Sequence, residues 1–351
     1  MSNINKLTKK VTFSIFAVVF VLFAAEGAFR LIYRAAKGPA GYDELARYAK
    51  SGSQGMIHNF RAHPQYLYTF QPSPPRIGET GFTGPMPEIP KAPGELRIIV
   101  LGDSTSAGEH AWPARLTRLL KANGVHKAAV ANLAIPGYTS REGLNVLRHL
   151  GLALDPDIVI AAFGHNDLQA GMYAGFKANY SHFRKPFAPP SDAGLRDLFD
   201  RWCTRRIFLY AFTRRQKGLP PLMGYRLDDY ILWRKAQLLD QPNFGGEFAA
   251  AFSDHMNSIV DEARNAGATA VLMTTPWCFD KCPSQSKAIL RDGLKVVNGI
   301  IRAVDEALVI DLDAQLSGRC ELFMDHIHAT PLGDDMRAGI IYRALAKSEI
   351  F

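Results

Sequence analysis

The sequence predicts an α/β protein, a three-layer α/β/α sandwich built on a five-stranded, mainly parallel sheet. Two observations carry this prediction. From residue 95 onward, short β-branched and aliphatic runs alternate with amphipathic segments, an order typical of strands joined by crossover helices. The runs are also apolar on both faces, as in strands covered by helices on both sides, and 157–163 is the clearest case.

Each predicted strand is a short apolar run that ends in small or polar residues. The five strands are 96–101, 127–133, 157–163, 268–274 and 309–312. The helices show apolar residues spaced three and four apart, with Asn-Gly, Gly or acidic residues near their ends. They are 112–122, 140–152, 248–266, 293–308 and 333–347.

The chain divides into three predicted parts. Residues 1–36 form a signal anchor or transmembrane helix, and 37–95, rich in Gly, Pro and aromatic residues, form an extended lead-in packed on the α/β domain. Residues 96–351 form that α/β domain. The alternation of strands and helices is interrupted at about 169–246, which we interpret as an insertion with short helices beside the strand ends.

The N-terminus predicts export. Lys6, Lys9 and Lys10 precede 15 uncharged, mostly apolar residues, Val11–Ala25, which fits a secretory h-region and is short for a membrane span. Because the helical pattern continues beyond Ala25, an uncleaved anchor is favoured over a signal peptide that is cleaved to release a secreted protein. The Lys cluster favours a cytoplasmic N-terminus and an α/β domain in the periplasm or outside the cell.

Charge is concentrated in the insertion. The 351 residues carry a formal charge of +8, and 168–235 alone hold 13 Lys or Arg against 5 Asp. Such a surface could meet anionic lipid or acidic polysaccharide. The chain has no zinc-finger spacing or RNA-binding signature, so we expect no nucleic-acid partner.

The four cysteines, Cys203, Cys278, Cys282 and Cys320, permit disulfides in an exported chain, with three possible pairings. Cys278 and Cys282 are close enough in sequence to close a loop. Four reduced thiols in a cytosolic protein remain the alternative. No paired Cys-x-x-Cys occurs, and we expect no metal or organic cofactor.

Ser104 is the candidate nucleophile. Strand 96–101 runs into Gly102-Asp103-Ser104-Thr105-Ser106, and ligands of open α/β sheets bind just outside the carboxyl ends of the strands. A serine hydroxyl is a weak nucleophile unless a base removes its proton. We therefore expect a base from elsewhere in the chain.

The segment Asp325-His326-Ile327-His328 can supply that base. Asp325 and His328 are three residues apart, so one tight turn can aim both side chains to the same side. A carboxylate on one imidazole nitrogen fixes the tautomer and stabilises the imidazolium. His326 is the rival base, but alternation should point it away from His328. The predicted catalytic residues are Ser104, His328 and Asp325.

Two more segments follow predicted strands and carry hydrogen-bond donors. They are Asn132–Gly137 and Gly164–Asp167. Attack by a serine creates an oxyanion that needs donors held in place. The backbone N–H groups of Ser104 and Gly137 and the side-chain amide of Asn166 are the predicted oxyanion hole.

In this order the four segments resemble those of the SGNH, or GDSL-type, hydrolases, over about 97–344. The resemblance implies a flavodoxin-like fold and ester hydrolysis, and assigns the oxyanion hole to the same three positions. It also favours His328 as the base. The name GDSL stands for Gly-Asp-Ser-Leu, and this chain has Thr105 at the position of the Leu. We therefore make no assignment to a subfamily.

Three neighbouring residues receive other interpretations. Asp103 and Asp167 are expected to hold turns through side-chain-to-backbone bonds. His165 either lines the pocket or lies on the surface.

These expectations combine into a membrane-tethered serine esterase that acts through an acyl-enzyme. Removal of O-acetyl groups from carbohydrate is the leading substrate hypothesis. A lipid esterase or lysophospholipase is the alternative, as is an O-acyltransferase that uses the same site. A non-catalytic envelope scaffold is disfavoured because it has no need of Ser104, Asn166 and His328 together.

Overall fold

A computed structural model of the chain describes residues 2–51, 60–70, 72, 77–184, 239, 241–282, 287–348 and 350. The chain separates into two compact units, residues 1–58 with 190–227 and residues 59–189 with 228–351. The short helices expected within the insertion, and most of its basic residues, lie outside the described residues.

Helix α1, Ser2–Ser51, is the described part of the first unit. Its segment Lys10–Ala36 is 27 residues long, has a mean hydropathy of 2.2 and is long and apolar enough to cross a membrane. A signal sequence meets the same criteria. The helix continues past the predicted boundary at residue 36, with a non-helical Gly38 (φ 70°, ψ 172°). The extended conformation predicted from residue 37 onward is therefore wrong up to Ser51, because Ala, Glu, Lys and Arg after Pro39 favour helix.

The second unit is built on a parallel five-stranded sheet. Its strands are β3 (Leu96–Gly102), β4 (Ala128–Asn132), β5 (Ile158–Ala162), β6 (Thr269–Met273) and β7 (Leu308–Ile310). Their spatial order is β4-β3-β5-β6-β7, and every neighbouring pair is parallel. All five strands were predicted, and the sheet is the flavodoxin-like doubly wound type.

The helices follow the strands in alternation. They are α2 (Trp112–Ala122), α3 (Ser140–Val146, continued by irregular helix to Leu154), α4 (His165–Gly171), α5 (Gly246–Asn265), α6 (Lys287–Arg302), α7 (Leu312–Leu316) and α8 (Pro331–Lys347). The chain turns from β3 outward to β4 and then back across β3 to β5. Right-handed crossovers therefore place α2 on one face of the sheet and α3 on the other.

One face of the sheet is packed by α2 and α8. Buried Ile98, Ile160 and Val271 of the strands meet Leu116 of α2 and Ile341 of α8 in one apolar cluster. The helix predicted at 293–308 begins and ends six residues earlier, at Lys287 and Arg302, because residues 303–307 form the turn into β7.

A two-stranded antiparallel hairpin precedes the sheet. Its strands are β1 (Phe60–His63) and β2 (Leu67–Phe70), with Phe60 paired to Phe70. The Tyr68 side chain is fully buried. The hairpin therefore packs into the unit that contains the sheet.

Candidate active site

The direction in which the chain moves through the sheet changes between β3 and β5: β3 is followed by β4 on one side, and β5 is followed by β6 on the other. In doubly wound sheets ligands bind at this switch point, outside the carboxyl ends of the strands. Ser104 follows β3, Gly137 follows β4 and Asn166 follows β5. The fold therefore brings three of the predicted site residues to one edge of the sheet.

The turn after β3 is held by Asp103. Its Oδ1 accepts hydrogen bonds from Thr105 N and Thr105 Oγ1, both at 2.8 Å, and its carbonyl accepts from Ser106 N at 3.1 Å. A Cβ on Gly102 would come within 2.9 Å of Ser106 Oγ, so the close approach requires glycine. The turn leaves Ser104 half-buried between these fixed neighbours.

Asp325 and His328 form a tight loop that faces Ser104. Asp325 Oδ1 accepts from the backbone N–H groups of Ile327 and His328, both at 2.8 Å. Asp325 Oδ2 lies 2.7 Å from His328 Nδ1, and His328 Nε2 lies 2.9 Å from Ser104 Oγ. An ionised carboxylate only accepts hydrogen bonds, so Nδ1 carries the proton and Nε2 offers its lone pair to the serine hydroxyl.

The electrostatics of this pair favour charge separation. Burial works to lower the pKa of His328, but the hydrogen bond that His328 donates to Asp325 and the charges of Asp325 and Asp103 outweigh it and raise that pKa. Burial works to raise the pKa of Asp325, but the hydrogen bond and charge of His328 hold it well below its ordinary range. An imidazolium formed on His328 is therefore stabilised where it stands.

Two backbone donors at the site have no acceptor within the described part of the chain. They are the N–H groups of Ser104 and Gly137. Gly137 has a φ of +84°, a backbone conformation that favours glycine. Both residues are half-buried, so their N–H groups are available to an oxygen placed between them.

The Asn166 amide is 6% exposed and already engaged. Its Nδ2 donates to Tyr138 O at 3.0 Å and to Asp103 Oδ2 at 3.3 Å. The second bond is long for N–H···O. An oxyanion could replace Asp103 as the acceptor of that hydrogen.

The other candidates near the site have different partners. Asp167 accepts from Ser140 N and Oγ, and burial raises its pKa to about 7. The rings of His165 and His326 lie 5.4 Å apart and both pack against Trp277. His326 thus lies with an aromatic cluster, while His328 takes the contact with Ser104.

Arg337 of α8 is a site residue that sequence analysis did not find. It is buried, donates from Nη2 to Ile327 O at 3.0 Å and from Nη1 to Thr105 O at 3.3 Å. One guanidinium thus joins the turn beside Ser104 to the loop of His328. The only sequence signal is a basic residue on the apolar face of a helix, which is too common to be informative.

A disulfide joins Cys278 to Cys320 with a Cα–Cα distance of 5.0 Å. The loop closure suggested between Cys278 and Cys282 is therefore wrong: a short turn, Phe279–Lys281, separates them, and Cys282 is buried and free. Cys203 lies outside the described residues. Cys278 N also donates to His326 O at 3.0 Å, so the disulfide lies close to the loop of His328.

A pocket of about 340 Å³ lies against Ser104 and His328. Its walls come from three parts of the chain: residues 107–111 after the turn of Ser104, Arg115 of α2, and residues of the segment from Met324 to Asp334 at the start of α8. Charged or polar groups on this lining are Glu109, His110, Arg115 and Asp334. Within the described residues, no group of three or more His, Cys, Asp or Glu side chains is arranged to hold a metal ion.

The family model for GDSL-like lipases and acylhydrolases matches residues 100–336. This range contains the end of β3, the strands β4 to β7 and all four segments that carry the site. Among functionally curated proteins, no sequence matches the chain.

Three solved structures are similar to it. The lipase/acylhydrolase from Enterococcus faecalis is 18% identical over 72% of this chain and 96% of that one, with a TM-score of 0.43. A GDSL-like lipase from Bacteroides thetaiotaomicron is 13% identical over 74% and 91%, with a TM-score of 0.41. An acetylxylan esterase from Geobacillus stearothermophilus is 16% identical over 71% and 94%, with a TM-score of 0.40.

Proposed function

Since the chain belongs to the GDSL-like lipase/acylhydrolase family and is an ester-hydrolysing enzyme, we propose that it is a serine esterase that works through Ser104, His328 and Asp325. The observation that carries this proposal is the unbroken chain of contacts from Asp325 Oδ2 through the His328 ring to Ser104 Oγ, at 2.7 and 2.9 Å. These distances are within hydrogen-bond reach for a base and its nucleophile.

In the acylation step Ser104 Oγ attacks the ester carbonyl carbon and its proton passes to His328 Nε2. Asp325 stabilises the imidazolium through Nδ1–H. The tetrahedral intermediate collapses, the C–O bond to the alcohol breaks, and the leaving oxygen takes the proton from Nε2. Water then attacks the acyl-serine with His328 again as base, releasing the carboxylic acid and restoring the Ser104 hydroxyl.

The oxyanion of both intermediates would be held by the N–H groups of Ser104 and Gly137 and by the Asn166 amide. Neither backbone donor has an acceptor among the described residues, which supports this assignment. Asn166 would exchange its 3.3 Å bond to Asp103 for a shorter, charge-assisted one. Each such donor typically contributes a few kcal/mol to transition-state stabilisation.

We propose carbohydrate O-acetyl esters as the substrate. The pocket contacts Ser104 and His328, and neither Gly137 nor Asn166 lines it, so it suits the alcohol part that receives the proton of His328. Its lining includes Glu109, His110 and Asp334, which offer hydrogen-bond partners to the hydroxyl groups of a sugar. The acetyl group itself needs little room.

The lipid esterase remains the second candidate. Met324 lines the same pocket and is 67% exposed, an apolar contact available to a lipid. An O-acyltransferase would use the same acyl-enzyme with a sugar hydroxyl in place of water.

We propose that the catalytic domain lies outside the cytoplasm and is tethered by Lys10–Ala36. The apolar helix supports tethering, and the Cys278–Cys320 disulfide supports an oxidising compartment. N-terminal sequencing of the membrane-bound protein separates the tether from a cleaved signal peptide, because the tethered form retains Lys10.

Hydrolysis of nitrophenyl esters from acetate to dodecanoate tests the chemistry and ranks the acyl chains, with Ser104→Ala as the blank. We expect the highest kcat/KM with acetate, acetate release from O-acetylated oligosaccharides, and labelling of Ser104 by a fluorophosphonate. A maximum at long chains would favour the lipid esterase. Full activity of Ser104→Ala would contradict the mechanism itself.

A further inference from the structure

We propose that Tyr68, in the hairpin that precedes the family domain, is a positioning residue for the oxyanion donor at Gly137. The inference rests on the oxyanion role proposed above for the Gly137 N–H. The family model begins at residue 100, and Tyr68 belongs to β2 in the segment before it. The hairpin would thus complete the active site rather than only cover it.

The key contact is a hydrogen bond from the Tyr68 hydroxyl to Pro136 O at 2.7 Å. Pro136 O and the Gly137 N–H belong to the same peptide unit. This unit is trans, and in a planar trans peptide the C=O and N–H bonds point in opposite directions. Holding the carbonyl oxygen on Tyr68 therefore fixes the direction in which the Gly137 N–H points.

Such an anchor matters because Gly137 is glycine. A peptide unit reorients by rotation about ψ of the residue before it and φ of the residue after it. A glycine at the second position, with no Cβ, makes that rotation sterically inexpensive. Without the Tyr68 hydroxyl the N–H would sample other directions, and the preorganisation that oxyanion stabilisation requires would be lost.

The hydroxyl also acts on the strength of the donor. A hydrogen bond accepted by a peptide C=O polarises the N–H of the same unit. The Tyr68 ring is fully buried, so water does not compete for this contact in the way it would at the surface. The Gly137 N–H would therefore be a stronger donor when Tyr68 is in place.

Tyr68 is itself held on several sides. Its carbonyl accepts a hydrogen bond from the Tyr138 hydroxyl, and the two rings meet edge to face with centroids 5.3 Å apart. Phe60 of β1 packs against the Tyr68 ring at 5.2 Å. Arg184 Nη2 donates to Gly137 O, so the carbonyls on both sides of the Gly137 α-carbon are anchored.

The test is Tyr68→Phe, which removes one oxygen and keeps the buried ring. With nitrophenyl acetate we expect kcat to fall about 10-fold, with KM changed less than about twofold, because the hydroxyl acts on the transition state. Affinity for a trifluoromethyl ketone, which forms a hemiketal oxyanion with Ser104, should fall by the same factor as kcat/KM.

Two controls separate positioning from stability. Tyr66→Phe removes a hydroxyl from the same hairpin, and should leave kcat unchanged, because the ring contacts of Tyr66 among the described residues are with His63 and Phe82. Tyr138→Phe removes the hydroxyl that bonds Tyr68 O but keeps the Tyr68 bond to Pro136 O. It should lower the melting temperature as Tyr68→Phe does, with a smaller loss of kcat.

Wild-type kcat in Tyr68→Phe would overturn the proposal. The proposal would also be overturned if Tyr68→Phe and Tyr138→Phe lost kcat in the same proportion to their loss of melting temperature. A Tyr68→Phe protein that does not fold would overturn it too, because either result assigns the hydroxyl to stability alone. Failure of the proposed function is seen separately, as activity that survives Ser104→Ala.

Discussion

His328 Nε2 lies 2.9 Å from Ser104 Oγ although 224 positions separate the two residues in the chain. Each lies in a short turn fixed by a carboxylate, Asp103 at one end and Asp325 at the other. The contact is therefore set by two locally rigid turns that the sheet brings together. Its chemical importance can be tested one residue at a time.

Ser104→Ala should lower kcat for nitrophenyl acetate by about 10⁶-fold, because the acyl-enzyme cannot form. Ser106→Ala is the matched control in the same turn. Ser106 Oγ accepts from Trp112 Nε1 at 3.0 Å, so this variant should lose stability by about 1–2 kcal/mol while retaining activity within a few-fold. Comparable losses of kcat in both variants would contradict a nucleophilic role for Ser104.

The pH profile should report His328. Its pKa is raised above the ordinary value of 6.5 by Asp325, and only the neutral ring can accept the serine proton. We therefore expect kcat/KM to rise with pH through a pKa above 6.5. Asp325→Asn removes the negative charge, so the rising limb should move to lower pH while kcat falls about 10⁴-fold. A limb that stays in place would show that Asp325 does not control the titration.

Much of this site follows from local sequence, and the rest does not. The segments with Ser104, Asn166 and His328 are recognisable because each combines a strand or turn signal with a short polar motif. Tyr68 and Arg337 carry no such motif. Their roles arise from hydrogen bonds to Pro136 O and Ile327 O, that is, to carbonyls whose positions exist only in the folded chain.

The cysteine pairing illustrates the same limit. Closeness in sequence suggested Cys278 with Cys282, yet the fold places Cys320 next to Cys278 across 42 positions. Helix α1 differs for another reason: Gly38 and Pro39 indicate a break, but good helix formers on both sides restart the helix.

Removal of the disulfide should lower the stability of the protein, whereas substitution of the free Cys282 should leave it unchanged. The double variant Cys278→Ser/Cys320→Ser opens a loop of 42 residues, which the chain-entropy estimate values at about 4 kcal/mol. Thermal or urea unfolding measures the loss. Cys282→Ser is the matched control, and a loss of similar size there would show that Cys282 takes part in the pairing.

Arg337→Met should impair both stability and catalysis, because it leaves Thr105 O and Ile327 O without their buried donor. We expect a stability loss of about 2 kcal/mol and a kcat reduced about 10-fold at 15 °C, where the variant is still folded. Arg343→Met, an exposed position on the same helix, should change neither. An unaltered kcat in folded Arg337→Met would show that the turn of Ser104 and the loop of His328 keep their geometry without the Arg337 guanidinium.

Substrate preference should depend on the polar wall of the pocket. Glu109 lines it beside His110 and Arg115, where a carboxylate can accept hydrogen bonds from sugar hydroxyls. Glu109→Leu should raise KM for O-acetylated oligosaccharides about 10-fold. The same variant should have a much smaller effect on nitrophenyl acetate, whose aromatic alcohol needs no such acceptor. If Glu109→Leu instead improved hydrolysis of long-chain esters and left the sugar esters unaffected, the pocket would be an acyl-chain site and the lipid esterase would replace the carbohydrate esterase as the proposed function.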